Sequence, residues 1–285
     1  MEDLISEMKR DPIISVITPS YNSASYLPAL IESVKKQTYQ NFEHIIIDDG
    51  SSDNGATKEI LGRYSHLRWW SRENKGQYTT QNDGIQAAKG DIIVIIAADD
   101  VFFSNDIFQL IIHSWEKNPE YELIYGHTAR MDENESLLPN LEMNCPPSKW
   151  LIKQLSYIQH CSLFVSKAFL LKNQLFFDPK FKYAGDWDWI IRLLKTSQNI
   201  GYAPKPLSII RMHQNQTSRI NTRAAIAFEH KKVSKAHGGS YQLHAIFSKL
   251  INWRGMVLLS QYTIRKEGLG TFLKRFSLWL VKKVQ

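Results

Sequence analysis

Two acidic runs, Asp48-Asp49-Gly50-Ser51-Ser52-Asp53 and Ala97-Ala98-Asp99-Asp100, each follow a stretch of apolar, mostly β-branched residues, Ile45-Ile46-Ile47 and Ile92-Ile93-Val94-Ile95-Ile96. Continuous runs of this kind read as strands buried on both faces, the condition of a parallel sheet covered by helices. In open α/β sheets the ligand sits outside the carboxyl ends of the strands. Acids brought together at that edge repel one another unless a cation or several hydrogen-bond donors compensate. The pattern therefore implies an α/β chain whose sheet edge handles a metal-bound diphosphate.

The rest of the chain fits the same architecture. Ile13 to Thr18 reads as a strand, and Leu27, Leu30, Ile31 and Val34 fall on one face of a following helix. Further strands are expected at Phe42–Ile47, Leu67–Trp70 and Ile92–Ile96, with helices at Thr57–Tyr64 and Tyr78–Ala88 between them. Such alternation implies right-handed crossovers and a mostly parallel, Rossmann-like central sheet flanked by helices. After Asp100 the pattern predicts a helix over Ser104–Glu116 and a strand over Glu122–Tyr125. The segment His127–Trp150 is long for a connection and is expected to face substrate. A strand at Ser162–Val165 and helices at Lys167–Lys172 and Asp186–Lys195 follow. Pro204 and Pro206 are expected to interrupt the chain before a last strand, Leu207–Arg211. The expected organisation is one domain over residues 1–220 and a helical extension over 221–285.

Charge narrows the partners. The net charge of +7 is contained within residues 241–285, where eight Lys and Arg face one acid, Glu267. A balanced body with a basic tail is not the footprint of a nucleic-acid-binding core. The final helical pattern, Thr271–Val284, sets Phe272, Leu273, Phe276, Trp279 and Leu280 against Lys274, Arg275, Lys282 and Lys283. It suits either a membrane interface or packing on the domain with its basic face in water. No signal-type apolar core and no run of about 18 apolar residues occurs, so neither secretion nor a membrane span is expected. Cys145 and Cys161 have no metal-ligand spacing and are expected to be reduced thiols.

Individual residues then acquire candidate chemistry. In Thr18-Pro19-Ser20-Tyr21-Asn22, Pro19 stiffens the strand exit and Tyr21 can lie against a planar base; a plain turn with a structural aromatic is the alternative. Asp48 is an acceptor suited to the N–H groups of a uracil-like base, while Asp53 suits a helix cap. Lys75 beside Gly76 would bring a cation and backbone N–H groups to phosphate, or is an ordinary surface lysine, and Asn82 and Asp83 could approach the donor sugar or ribose. Asp99 and Asp100 are hard oxygen donors at a strand end, matching Mg²⁺ or Mn²⁺, or else a capping pair. Asp186 and Asp188 flank Trp187 in the first turn of a helix, where negative charge is stabilised with or without catalysis. Trp187 and Trp189 could form a sugar platform or pack in the core.

Taken in order, Thr18–Asn22, Asp48–Asp53, Glu73-Asn74-Lys75-Gly76, Ala98-Asp99-Asp100 and Gly185-Asp186-Trp187-Asp188 make the chain resemble family 2 glycosyltransferases of GT-A fold, over about Ile13 to Ser218. That resemblance implies inverting, metal-dependent transfer of one sugar from a nucleotide-diphosphate sugar to an acceptor hydroxyl; Asp48 leans the donor toward uridine, and the acceptor is expected to be a saccharide, lipid-linked if the C-terminal helix lies on a membrane. Pro19 and Tyr21 would neighbour the base and ribose, and Asp48 would recognise the base. Asp100 would be the direct metal ligand, with Asp99 on ribose or sugar or also on the metal. Asp186 maps to the catalytic base, Asp188 standing second, and His213 to a position near the diphosphate or metal. Two departures stand out, Ala97 for the first acid of the Asp-x-Asp signature and Gly185 for the first acid of the later motif. No Gln-x-x-Arg-Trp occurs, so a single transfer per encounter is expected, in cell-surface polysaccharide or glycolipid synthesis. The expected location is cytoplasmic, at the inner face of the membrane if the tail binds it. The competing readings are a nucleotidyltransferase, which would want a glycine-rich basic loop after the first strand, and a catalytically silent sugar-nucleotide-binding scaffold.

Overall fold

The apolar runs become the centre of an eight-stranded sheet in the computed structural model, which describes residues 11–138, 146–213, 216, 222–243, 247 and 270. The first half is built from β1 (Ile14–Ser20), α1 (Leu27–Lys35), β2 (Phe42–Asp48), α2 (Ala56–Gly62), β3 (Arg68–Ser71), α3 (Gln77–Ala87) and β4 (Ile92–Ile95). β1 pairs in parallel with β2 and β4, and β2 with β3. Ser20 stands opposite Asp48 and Ile17 opposite Ile95, so the loops after these strands leave at one edge.

The second half adds β5 (Val101–Phe102), α4 (Ile107–Lys117), β6 (Leu123–Met131), β7 (Leu163–Ser166), α5 (Lys167–Lys172), α6 (Gly185–Thr196) and β8 (Ile200–Arg211). The strand order is β3-β2-β1-β4-β7-β6-β8-β5. β7 runs antiparallel to both β4 and β6, β8 is parallel to β6, and β5 is antiparallel to β8. The sheet is thus mixed, with its parallel half under the acidic loops.

Alternate residues of each strand point to opposite faces, and both faces are covered. Ile17, Ile45 and Ile47 join Ile85 of α3 and Trp187, Ile190 and Leu194 of α6 in one cluster. Ile14, Val16 and Val94 join Leu30 and Val34 of α1 and Phe108 and Ile111 of α4 in another. A Cβ on Gly84 would stand 2.3 Å from Cγ2 of Ile17, so α3 lies on β1 at a separation that a larger residue would force apart.

β8 is longer than its prolines suggest. The register on β6 jumps from Ala203 opposite Gly126 to Pro206 opposite His127, leaving Pro204 and Lys205 outside the ladder and exposed. A bulge tolerates a residue without an N–H, so the strand continues through the prolines to Arg211. β6 runs on with it as far as Met131, through residues expected to be loop.

Beyond β8, α7 (Arg223–Ala236) packs on this body: Val233 joins the main core and Ser234 Oγ donates to the carbonyl of Lys153 at 2.8 Å. Cys161 is a free, buried thiol. Cys145, the boundary near Asn221 and the basic helical pattern over Thr271–Val284 lie outside the described residues. Among the described residues no helix is long and apolar enough to cross a membrane.

The α3–β1 contact yields a direct test. Gly84→Ala is expected to lower unfolding stability by about 1–3 kcal/mol through overpacking against Ile17. A chemical denaturation midpoint equal to that of the wild type would contradict this packing.

Candidate active site

A cleft of about 930 Å³ opens at the edge where β1, β2 and β4 end, and its walls include Pro19, Tyr21, Asp49, Lys75, Asp99 and His213. Tyr21 is half exposed, its ring available to a flat partner. The next residue, Asn22, has φ 51°, in the left-handed region that asparagine tolerates. Its carboxamide oxygen accepts from the Ser52 N–H at 2.7 Å, and its own N–H donates to Ser51 Oγ at 2.8 Å. These bonds tie the loop after β1 to the loop after β2. Asp53 caps α2 through the N–H of Thr57 at 3.1 Å.

The two acids of the second loop separate. Asp48 is fully buried and turned inward, accepting from the N–H and hydroxyl of Ser51 and, at 2.7 Å, from Ser71 Oγ. It is not among the cleft residues, contrary to its expected place beside a base, because two donors from Ser51 and one from Ser71 at the end of β3 satisfy its carboxylate. Asp49 faces the cleft instead. It accepts from the backbone N–H groups of Lys75 at 3.0 Å and Gly76 at 2.9 Å, and pairs with Arg72 at 3.1 Å. Those two N–H groups, expected to be free for phosphate, are therefore engaged. What Lys75 presents is its exposed side chain. Asn82 brackets Phe177 with two backbone hydrogen bonds and Asp83 lies 3.4 Å from Arg72, so both serve the scaffold and neither lines the cleft.

Asp99 and Asp100 also diverge. Asp100 is buried and accepts from the N–H of Arg211 at 3.2 Å; burial, then the Asp99 charge, push its carboxyl well above the usual range. Asp99 lines the cleft, and its Oδ2 lies 2.8 Å from Nε2 of His213. The expected direct ligand, Asp100, thus points away, and Asp99 with His213 presents the oxygen and nitrogen donors. Arg211 organises the pair. Its Nε donates to the Asp99 carbonyl at 3.2 Å, Glu135 holds its other end at 3.0 Å, and it stacks over Tyr26, whose ring packs 4.5 Å from His213. Among the described residues no three His, Cys, Asp or Glu side chains form a self-sufficient metal cage. One carboxylate and one imidazole on a cleft are nevertheless a fitting partial donor set for Mg²⁺ or Mn²⁺, which take further ligands from phosphate and water.

Asp186 occupies the first turn of α6, its side chain a quarter exposed, with Oδ2 3.8 Å from Nδ1 of His160. His160 lines the cleft, whereas Asp186 is not itself among the cleft residues and stands behind it. Burial alone would raise the Asp186 carboxyl, but His160, the N–H of Trp187 at 2.8 Å and the nearby His230 outweigh it and hold it below the ordinary range. Asp186 is therefore ionised at neutral pH. Asp188 turns elsewhere, pairing with Arg192 and His237 at 2.8 Å each, and is buried away from the cleft. Trp187 and Trp189 are both core residues whose indole N–H groups donate to the carbonyls of Ile152 and Leu175, so neither forms a sugar platform. The glycine at 185 also has a local reason. A Cβ there would meet the ring of Tyr78 at 2.6 Å, and the Gly185 N–H donates to the Tyr78 hydroxyl at 2.9 Å.

Residues 15–175 match the family model described as "Glycosyl transferase family 2". An "Uncharacterized glycosyltransferase" of Rickettsia felis is 28% identical over 215 residues, spanning 73% of this chain and 35% of that protein. The chain spans 31–41% of the length of three of the curated relatives it matches. Among solved structures, S. aureus TarS (residues 1–349) in complex with UDP-GlcNAc superposes with a TM-score of 0.61 at 19% identity, over 79% of this chain and 66% of that one. The mannosyltransferase PcManGT of Pyrobaculum calidifontis, in complex with GDP-Man and Mn²⁺, gives 0.57 at 15% identity, over 97% and 82%. These likenesses show the GT-A fold.

The ion pairs of Asp188 make a pH prediction. Burial would raise this carboxyl, but His237 and Arg192 together hold it below its ordinary value. A depressed carboxyl contributes stability that is fully present above its unfolded pKa of about 3.9 and is lost as the pH falls through the folded value. Wild type should accordingly be more stable than Asp188→Asn at pH 6, with the gap narrowing below about pH 4. A pH-independent gap in denaturant titrations would contradict the assignment.

Proposed function

The chain belongs to glycosyl transferase family 2, and from that membership we propose that it is an inverting, metal-dependent enzyme that moves one sugar from a nucleoside-diphosphate sugar to an acceptor hydroxyl. The observation that supports this reading is a metal-donor pair on the cleft wall with an ionised carboxylate immediately behind another wall residue. Asp99 with His213 presents metal donors, and an ionised Asp186 stands beside the cleft-lining His160.

Pro19 and Tyr21 receive the nucleobase and ribose, and the Lys75 ammonium approaches the diphosphate. Asp99 and His213 are the residues that would hold Mg²⁺ or Mn²⁺, with Arg211 fixing their spacing. Bound there, the ion would neutralise charge developing on the leaving diphosphate. Asp186 takes the proton of the acceptor hydroxyl. The acceptor oxygen forms a bond to the anomeric carbon while the bond from that carbon to the diphosphate breaks, and the nucleoside diphosphate leaves with the electron pair. Attack from the face away from the leaving group inverts the anomeric configuration.

The donor reading is supported by the sugar nucleotides named in the two superposed structures, which carry uridine in one case and guanosine in the other. A cleft of about 930 Å³ leaves space for a saccharide or lipid-linked saccharide beside the donor, consistent with a place in polysaccharide or glycolipid synthesis. Contact with a membrane through residues 271–284 belongs to the same proposal.

Nucleotide release from a panel of sugar nucleotides with Mn²⁺ or Mg²⁺ tests this reading. Metal-dependent release from one donor is expected, abolished by EDTA and by Asp99→Ala. Asp186→Asn should lower kcat by about 10²–10⁴-fold with little change in donor KM. Donor binding without release, with lipid extract supplied as acceptor, would instead identify a silent sugar-nucleotide-binding scaffold. Full activity in Asp186→Asn would remove the base.

A further inference from the structure

The first turn of α6 is held by a helix that lies beyond the family-matched residues 15–175. Glu229, half-buried on α7, turns its carboxylate toward the chain that enters α6. The N–H of Lys182 donates to Oε1 at 3.0 Å and to Oε2 at 3.2 Å, that of Tyr183 to Oε2 at 2.8 Å, and that of Ala184 to Oε2 at 2.9 Å. One anion thus satisfies three successive donors just before the helix, where the backbone has no partners of its own and the helix dipole favours negative charge.

Two further contacts run in the same direction. The ring of His230 packs 5.0 Å from that of Trp187, and Nε2 of His237 lies 2.8 Å from Asp188. α7 therefore grips the loop before Asp186 and the two residues after it. Pro179 to Lys182, the start of the gripped loop, also form part of the cleft wall. Val233, in the core on the same helix, gives the grip a fixed base.

We propose that Glu229 is a positioning residue that sets the placement of Asp186 and of the cleft wall at 179–182, so that α7 completes the catalytic site. This rests on Asp186 being the base. Among the described residues the hydrogen bonds of Glu229 go to Lys182, Tyr183 and Ala184, and none goes to β1, β2, β4 or the loops after them.

The test uses the full chain as wild type, Glu229→Ala, Glu229→Gln, Asp186→Asn and, as a control on the same helix, Phe228→Ala, whose side chain is exposed. Amide hydrogen exchange is read over 178–187 and, as a reference on the far face of the sheet, over 107–117, and kcat and donor KM are read by nucleotide release with Mn²⁺. Glu229→Ala is expected to speed exchange over 178–187 alone and to lower kcat on the order of 10- to 100-fold at unchanged donor KM, the scale of a misplaced catalytic group. Glu229→Gln keeps an acceptor oxygen and should recover much of both, and Phe228→Ala should match wild type. Faster exchange spread equally over 107–117, with kcat and KM failing together and no rescue by Gln, would reduce Glu229 to a stability residue and overturn the proposal. Turnover retained in Glu229→Ala while Asp186→Asn is inactive overturns the positioning role alone. Turnover retained in Asp186→Asn removes the base and the proposal with it.

Discussion

Carboxylates that meet at the edge of a parallel sheet must each acquire donors or lose their charge, and the organisation of this cleft follows from how that demand is met. Asp48 takes three donors from serines of its own neighbourhood, and Asp49 takes two backbone N–H groups and an arginine. Asp100 receives one N–H from Arg211 and is pushed toward its neutral form. Asp99 is left facing the cleft, paired with an imidazole that can share a cation with it. The acids that close the scaffold and the acid offered to a ligand therefore come from the same two runs.

This division explains which parts of the site were legible in the sequence. Apolar runs and helical periodicity located the strands of the parallel half and the α5 and α6 segments to within a few residues, because burial on two faces leaves a plain compositional mark. Adjacent acids leave no such mark of their separate fates. Whether Asp48 or Asp49, or Asp99 or Asp100, reaches the cleft depends on how the chain turns just past the strand ends and on donors contributed from distant positions such as Ser71 and Arg211. The continuation of β8 through Pro204 was hidden for a related reason: a bulge is defined by its partner strand, and β6 lies nearly eighty residues earlier. His160, Arg211 and Glu229 carried no local signal, since each acts on a group far away in the chain.

The resulting site has two parts of different origin. The donor side is assembled by local strand–loop–helix units, with Asn22 tying the first two loops together. The side that carries Asp186 is assembled by long-range contacts: Tyr78 against Gly185, His160 beside Asp186, and α7 against the entry to α6. Replacing the acid of the related motif by Gly185 fits this design, because the Tyr78 ring occupies the space that a side chain there would need. Burial would raise the Asp186 carboxyl, but His160, the N–H of Trp187 and His230 together hold it below its ordinary range.

The central claim is that Asp99 and His213 form the edge on which a metal-bound nucleoside diphosphate sits. Pulsed EPR of Mn²⁺ added to the purified chain with UDP or, in parallel, GDP addresses it without need of an acceptor. The account predicts nucleotide-dependent Mn²⁺ binding with an imidazole nitrogen coupling that disappears in His213→Gln. Mn²⁺–nucleotide bound without that coupling, or no nucleotide-dependent binding with either UDP or GDP, would contradict it.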